Sequence, residues 1–139
     1  MSFGAAICPP HQSVNSVMSE FAPVSIAEVE RLIHVMPAKT SPLDIIPISL
    51  LKQCKTEMAI VLANLANISF MSGHFPTVMK EGIVVPLLKK SGLDVTDLKN
   101  FRPVTNLSTI SKVLERLALA RLKTHIRASP NYCILQSAY

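Results

Sequence analysis

Within "LKKSGLDVTDLKNFRPVTNLS", Leu88 to Ser108, four cations flank one short polar loop: Lys89 and Lys90 before it, Lys99 and Arg102 after it. A loop needs polar residues for solvation but does not need converging positive charge. Cations arriving from two sides suit a multiply charged anion, and arginine's planar fork matches phosphate oxygens in particular. A second basic set lies downstream. Lys112, Arg116, Lys123 and Arg127 follow one another at steps of 4, 7 and 4, which at about 100° per residue keeps them within roughly 60° of one helix face. From Lys80 to Arg127 ten basic residues stand against four acidic ones, while the whole chain carries only +5. The positive excess therefore sits entirely in the second half. An anionic polymer, RNA or single-stranded DNA, is the expected partner, bound weakly and with little sequence preference.

Other chemistries find little support. The aspartates are Asp44, Asp94 and Asp97 alone, and no aromatic-x-Asp-Asp turn exists to hold catalytic metal ions. Asp44 follows proline and leucine in "SPLDIIP", where it suits a turn; Asp94 and Asp97 flank the polar loop as turn or cap residues. His11, His34, His74 and His125 have no serine or cysteine nucleophile motif beside them. Cys8, Cys54 and Cys133 are widely spaced, which argues against disulfides, and Cys8 with His11 makes only half a zinc site. Four scattered glycines cannot build a phosphate-cradling loop. No catalytic residue, metal site or bound cofactor is assigned.

These residues must be positioned by a chain of 139 residues, 49% hydrophobic and 17% charged, which is the composition of one folded domain. No apolar run reaches the ~18 residues that span a bilayer, and "MSFGAAICPP" lacks the form of a signal peptide, so an intracellular chain without a membrane partner is expected. Residues 1–20 read as a loose lead-in. "SIAEVERLIHVM" is a helix opened by the Ser25–Glu28 capping box, with Ile26, Val29, Ile33 and Met36 on one face. "PISLLKQC" is a short helix with Pro47 in its first turn. "EMAIVLANLANISFMSG" is a longer, nearly all-apolar helix ending at Gly73, which should be covered on most sides.

"GIVVPLLKK" is β-branched and bounded by glycine, hence a strand, with Pro86 confining it to an edge or a bulge. "FRPVTNLS" is a second extended piece, and the two form a hairpin with a long tip. Ser108 or Thr109 opens the last helix, whose apolar side gathers Ile110, Val113, Leu114, Leu117 and Ala118. Leu119 falls on its basic side and Arg121 on its apolar side, so the pattern is imperfect. The expected fold class is α+β, mostly helical with one β-hairpin.

In order and spacing, "SPLDIIPISLLKQC", "SGHFPTVMKEGIVVPLLKKSGLD", "LKNFRPVTNLSTISKVLERLALARL" and "LQSAY" resemble the opening blocks of LINE-type (non-LTR retrotransposon) reverse transcriptases. The resemblance runs from about Phe21 to Tyr139. It implies the N-terminal extension and fingers of a right-handed polymerase over residues 21–139, stopping before the palm that carries the catalytic aspartates and the Mg²⁺ the complete enzyme requires. It implies that Lys89 or Lys90, together with Arg102, holds the triphosphate of the incoming nucleotide. Phe101 stands where the family more usually has tyrosine. The basic face of Lys112, Arg116, Lys123 and Arg127 is then a nucleic-acid contact.

The expected function is that of a reverse-transcriptase portion contributing nucleotide and template contacts without catalysing synthesis itself. The alternatives are a small basic nucleic-acid-binding or adaptor module derived from a retrotransposon, or a non-functional remnant. Nuclear or cytoplasmic residence is a family expectation only. Without a palm to cover them, Ile83, Val84 and Val85 of the hairpin and Val113, Leu114 and Leu117 of the last helix should lie exposed, to be covered by the palm portion or by another protein.

Overall fold

The computed structural model describes residues 12–13 and 17–132. Cys8, His11, Cys133, the Pro-Pro pair of the lead-in and the terminal "LQSAY" lie outside the described residues. The elements run α1 (Ile26–Val35), α2 (Ile48–Gln53), α3 (Lys55–Ser72), β1 (Gly82–Leu88), β2 (Phe101–Leu107) and α4 (Thr109–Ala128), with short 3-10 turns at Thr77–Met79 and Leu98–Asn100.

The helices begin and end where local chemistry permits. Ser25 Oγ accepts the N–H of Glu28 at 3.2 Å and so caps α1. The reciprocal half of the capping box does not form, because the Glu28 carboxylate turns to Arg121 instead, 2.8 Å away on α4. Pro47 is the N-cap of α2 rather than part of its first turn. At the end of α3, Gly73 takes a left-handed φ of 64°, a conformation that any side chain would strain. Ser108 caps α4 by accepting the N–H of Ser111 at 3.1 Å. Asp44 adds a second cap there, accepting both the N–H and the hydroxyl of Thr109.

The core is helical. Val29 and Ile33 of α1, Leu51 of α2, Ala59, Leu62, Ala63 and Ala66 of α3, and Val113 and Leu117 of α4 form one buried cluster. Two expectations fail here. Val113, Leu114 and Leu117 are buried, not exposed, because α1 and α3 already supply a complete surface for α4 without any further domain. α3, in turn, is covered on one side only: Ile60, Val61, Ile68 and Met71 face outward, Met71 at 88% exposure. Its near-uniform apolar composition hid which side packs. The small residues Ala59, Ala63 and Ala66 mark that side, since short side chains let a neighbouring helix approach closely. Ile26, in the first turn of α1, is also largely exposed.

The hairpin stands apart from this core. β1 and β2 pair antiparallel from Gly82 opposite Leu107 to Leu88 opposite Phe101, with Pro86 directly opposite Pro103. Opposed residues in such a ladder alternate between bonded and non-bonded pairs. Beyond the strands the Lys89 N–H donates to Asn100 C=O at 2.8 Å, so Lys89–Asn100 and, two steps on, Leu87–Arg102 fall in bonded positions. The two prolines then share a non-bonded position, where neither lacks a partner for its missing N–H. Ile83, Val84, Val85 and Leu87 are exposed, as expected for the first three.

Arg121 explains its own place on the apolar side of α4. Its guanidinium donates to Glu28 twice, at 2.8 and 2.9 Å. It also donates to the carbonyls of Ala22 (2.7 Å), Pro23 (2.9 Å) and Leu117 (3.0 Å). All of the donors a guanidinium possesses are thereby used. It also lies over the Phe70 ring, which Phe21 meets edge-on at 4.8 Å. Together with Asn67, whose side chain exchanges two hydrogen bonds with the backbone of Val24, it fastens residues 21–24 onto α3 and α4. The Arg121 hydrogen bonds hold the Glu28 carboxyl below its ordinary value of 4.5, outweighing the upward push of burial. A depressed folded-state pKa contributes stability that is complete above the unfolded value and lost as pH falls through the folded one. Thermal melts should therefore show stability dropping below about pH 4.5 in the wild type, and Glu28→Gln should flatten that acid-side loss. An acid limb unchanged by Glu28→Gln would contradict the assignment.

Candidate nucleotide and nucleic-acid interface

Side chains of paired strand residues project to the same face, and that face alternates along the strand. Arg102, opposite Leu87, therefore shares a face with Lys89, which continues the ladder opposite Asn100. The first strand thus delivers one cation and the second delivers another to one side of the hairpin near its tip. Lys89 Nζ donates to the Lys99 carbonyl at 2.6 Å, which fixes the ammonium on the loop while leaving it two further donors. Lys90 lies in the bend just after β1 and is exposed, as is Arg102.

The loop between the strands is held by its own polar groups. Asp94 accepts the N–H and hydroxyl of Thr96 at 2.8 and 2.7 Å. These bonds keep its carboxyl below the ordinary carboxylate range. Asp97 accepts the Lys99 N–H at 3.0 Å, and Asn100 Nδ2 donates to the Asp94 carbonyl at 2.9 Å. Gly92 turns the chain with a φ of 84°. The two aspartates are thus turn and cap residues.

Among the described residues no group of three or more His, Cys, Asp or Glu side chains lies together. Asp44, the remaining aspartate, is committed to Ser41 and Thr109; burial works to raise its pKa, but the donors of Ser41 and Thr109 prevail and lower it. Cys54 is a free, exposed thiol between α2 and α3; His34 and His74 are exposed and His125 is half-buried.

Along α4, Arg116, Lys123 and Arg127 are exposed and Lys112 is half-buried. The stripe is real as a surface feature and separate from Arg121, which points inward. Leu119, out of place on the basic side, faces with Leu122 an apolar cleft of about 610 Å³ shared with Phe75 and Met79. Sequence reading missed one cation near the stripe. Arg31 of α1 lines a groove of about 280 Å³ together with Arg116, a meeting of residues 85 positions apart that no local pattern announces.

Over 102 residues the chain is 30% identical to the RNA-directed DNA polymerase from mobile element jockey of Drosophila melanogaster, covering 73% of this chain and 11% of that protein. The corresponding polymerase of Drosophila funebris is 27% identical over 114 residues, 79% of this chain and 12% of its own length. The chain is related to LINE-type reverse transcriptases. It spans about a tenth of the length of the curated relatives it matches. No protein-family model matches it. Among the described residues of this reverse-transcriptase relative, no helix is long and apolar enough to cross a membrane.

Proposed function

We propose that this chain serves as the N-terminal extension and fingers of an RNA-directed DNA polymerase. In this reading Lys89 and Arg102, with Lys90 at the bend, hold the triphosphate of the incoming nucleotide. Lys112, Arg116, Lys123 and Arg127 contact the template strand. One observation carries the reading: the hairpin register brings Lys89 and Arg102 to one face from opposite strands. A triphosphate presents oxygens on more than one side and is held best by donors converging in that way. The hairpin's exposed apolar residues, Ile83, Val84 and Val85, are the surface that a palm portion or another protein covers.

Titrating a deoxynucleoside triphosphate into the isotope-labelled chain at low salt tests this, with backbone amide shifts as the readout. Shifts should concentrate at Lys89, Lys90, Phe101 and Arg102. Lys89→Ala and Arg102→Ala should each weaken binding about tenfold or more, the equivalent of one charge-assisted hydrogen bond of about 1.5–3 kcal/mol. Shifts centred on Lys52 and Lys55, the lysines flanking the α2–α3 junction, with the hairpin silent, would refute it.

A further inference from the structure

We infer that the cleft between α1 and α4 is a binding groove for one nucleic-acid strand, with Arg31 of α1 and Arg116 of α4 gripping its phosphates from two sides. The inference rests on the reading above that α4 carries the template, and extends the contact to a helix which that reading leaves out. The groove has a volume of about 280 Å³, and Leu32, Val35, Leu117 and Ala120 form its apolar walls. Val35 is 69% exposed, an open apolar side chain next to a cation.

The charge in the groove is positive for a specific reason. Its one acid, Glu28, is consumed by Arg121, and Arg121 has every donor engaged inside the fold. Among the described residues that is the one ion pair, so neither Arg31 nor Arg116 is bonded directly to an acid; Arg31 lies within electrostatic reach of Glu28 but leaves its hydrogen bonds to Arg121. Arg31 spends only its Nε–H, on the Ala27 carbonyl at 3.3 Å, which leaves the outer edge of its fork for a ligand.

A strand of nucleic acid fits better than an acidic peptide. Lys112 and Lys123 continue the same α4 face on either side of Arg116, so the groove opens onto a row of cations that a polymer with regularly repeated charge can follow. Guanidinium groups can also lie against the flat faces of bases.

Fluorescence anisotropy with labelled oligo-rU and oligo-dT, titrated from 50 to 200 mM salt, tests the groove on the intact 139-residue chain. Arg31→Gln should weaken binding about fivefold at low salt and reduce the log–log salt slope by about 0.7, as one lost phosphate contact requires. Arg116→Gln should do the same, and Arg31→Lys should restore the slope. Lys55→Gln, at the start of α3, should change neither quantity, and melting temperatures should match throughout. The loss should be equal on rU and dT because phosphate is the shared ligand; a loss confined to rU would overturn the phosphate assignment. Normal binding by Arg31→Gln with weakened binding by Arg116→Gln would overturn the groove while leaving the template role of α4 intact. No binding by the wild type at 50 mM salt would remove that role and the groove with it.

Discussion

Incubated with a primed RNA template, deoxynucleotides and Mg²⁺ or Mn²⁺, the 139-residue chain will give no extension above a heat-treated control. The expectation follows from where its aspartates are and what they already do. Two-metal phosphoryl transfer requires carboxylates converging on ions about 4 Å apart, which bind the attacking and leaving oxygens. Asp94 and Asp97 are spent on the backbone of the hairpin loop. Asp44 lies in a different part of the chain and caps α4 through Thr109 while closing its own turn on Ser41. Each could still offer a lone pair to a metal, but among the described residues no three His, Cys, Asp or Glu side chains lie together to hold one. A hairpin that positions a triphosphate still leaves the reaction without charge stabilisation at the reacting oxygens, and catalysis of many orders of magnitude depends on that stabilisation. Template-dependent product that disappears on adding a chelator would overturn this account.

Local signals were readable wherever the physics is local. Ser25 announced α1 because a hydroxyl three residues before a free N–H is a short-range matter. Gly73 announced the end of α3 for a similar reason: only the backbone conformation is at stake there. Pro86 was legible as a constraint on its strand, but its partner was not, since the pairing with Pro103 depends on register across the loop. Apart from the one-residue offset at Pro47, the main misreadings involve distant residues. Glu28 was expected to complete its own capping box, yet a guanidinium 93 positions away competes more strongly for the carboxylate. For the same reason Arg121 looked like an imperfection in an apolar stripe. Asn67, a polar residue in a nearly all-apolar helix, binds the backbone of Val24 across 43 positions. Of the candidate site, the two cationic sets were visible as composition and period. That Lys89 and Arg102 share a face needed the register, and that Arg31 stands beside Arg116 needed the packing of α1 on α4.

Leu117→Ala should be strongly destabilising, costing about 2–5 kcal/mol out of a typical domain stability of about 5–15 kcal/mol. Leu117 is 1% exposed and belongs to the cluster joining α1, α3 and α4. Removing its side chain forfeits transfer energy and also leaves a cavity, because helices fixed by Asp44–Thr109 at one point and Glu28–Arg121 at another have little room to collapse inward. Val84→Ala provides the contrast. Val84 is 59% exposed on β1, and a substitution at such a surface position changes stability by about 0.5 kcal/mol or less. Urea unfolding of the two variants separates two arrangements of the same sequence. In one, α4 closes a helical core and the hairpin projects from it, so the two substitutions differ severalfold or more. In the other, which the sequence alone suggested, Leu117 and Val84 both wait uncovered for a further domain, and both substitutions are near neutral. The result bears on function as well, because Arg116, Lys123 and Arg127 keep a common exposed face only while Leu117 holds α4 against the core. A cost below about 0.5 kcal/mol for Leu117→Ala would mean that α4 is not docked and that its basic stripe has no fixed geometry to offer a nucleic-acid strand.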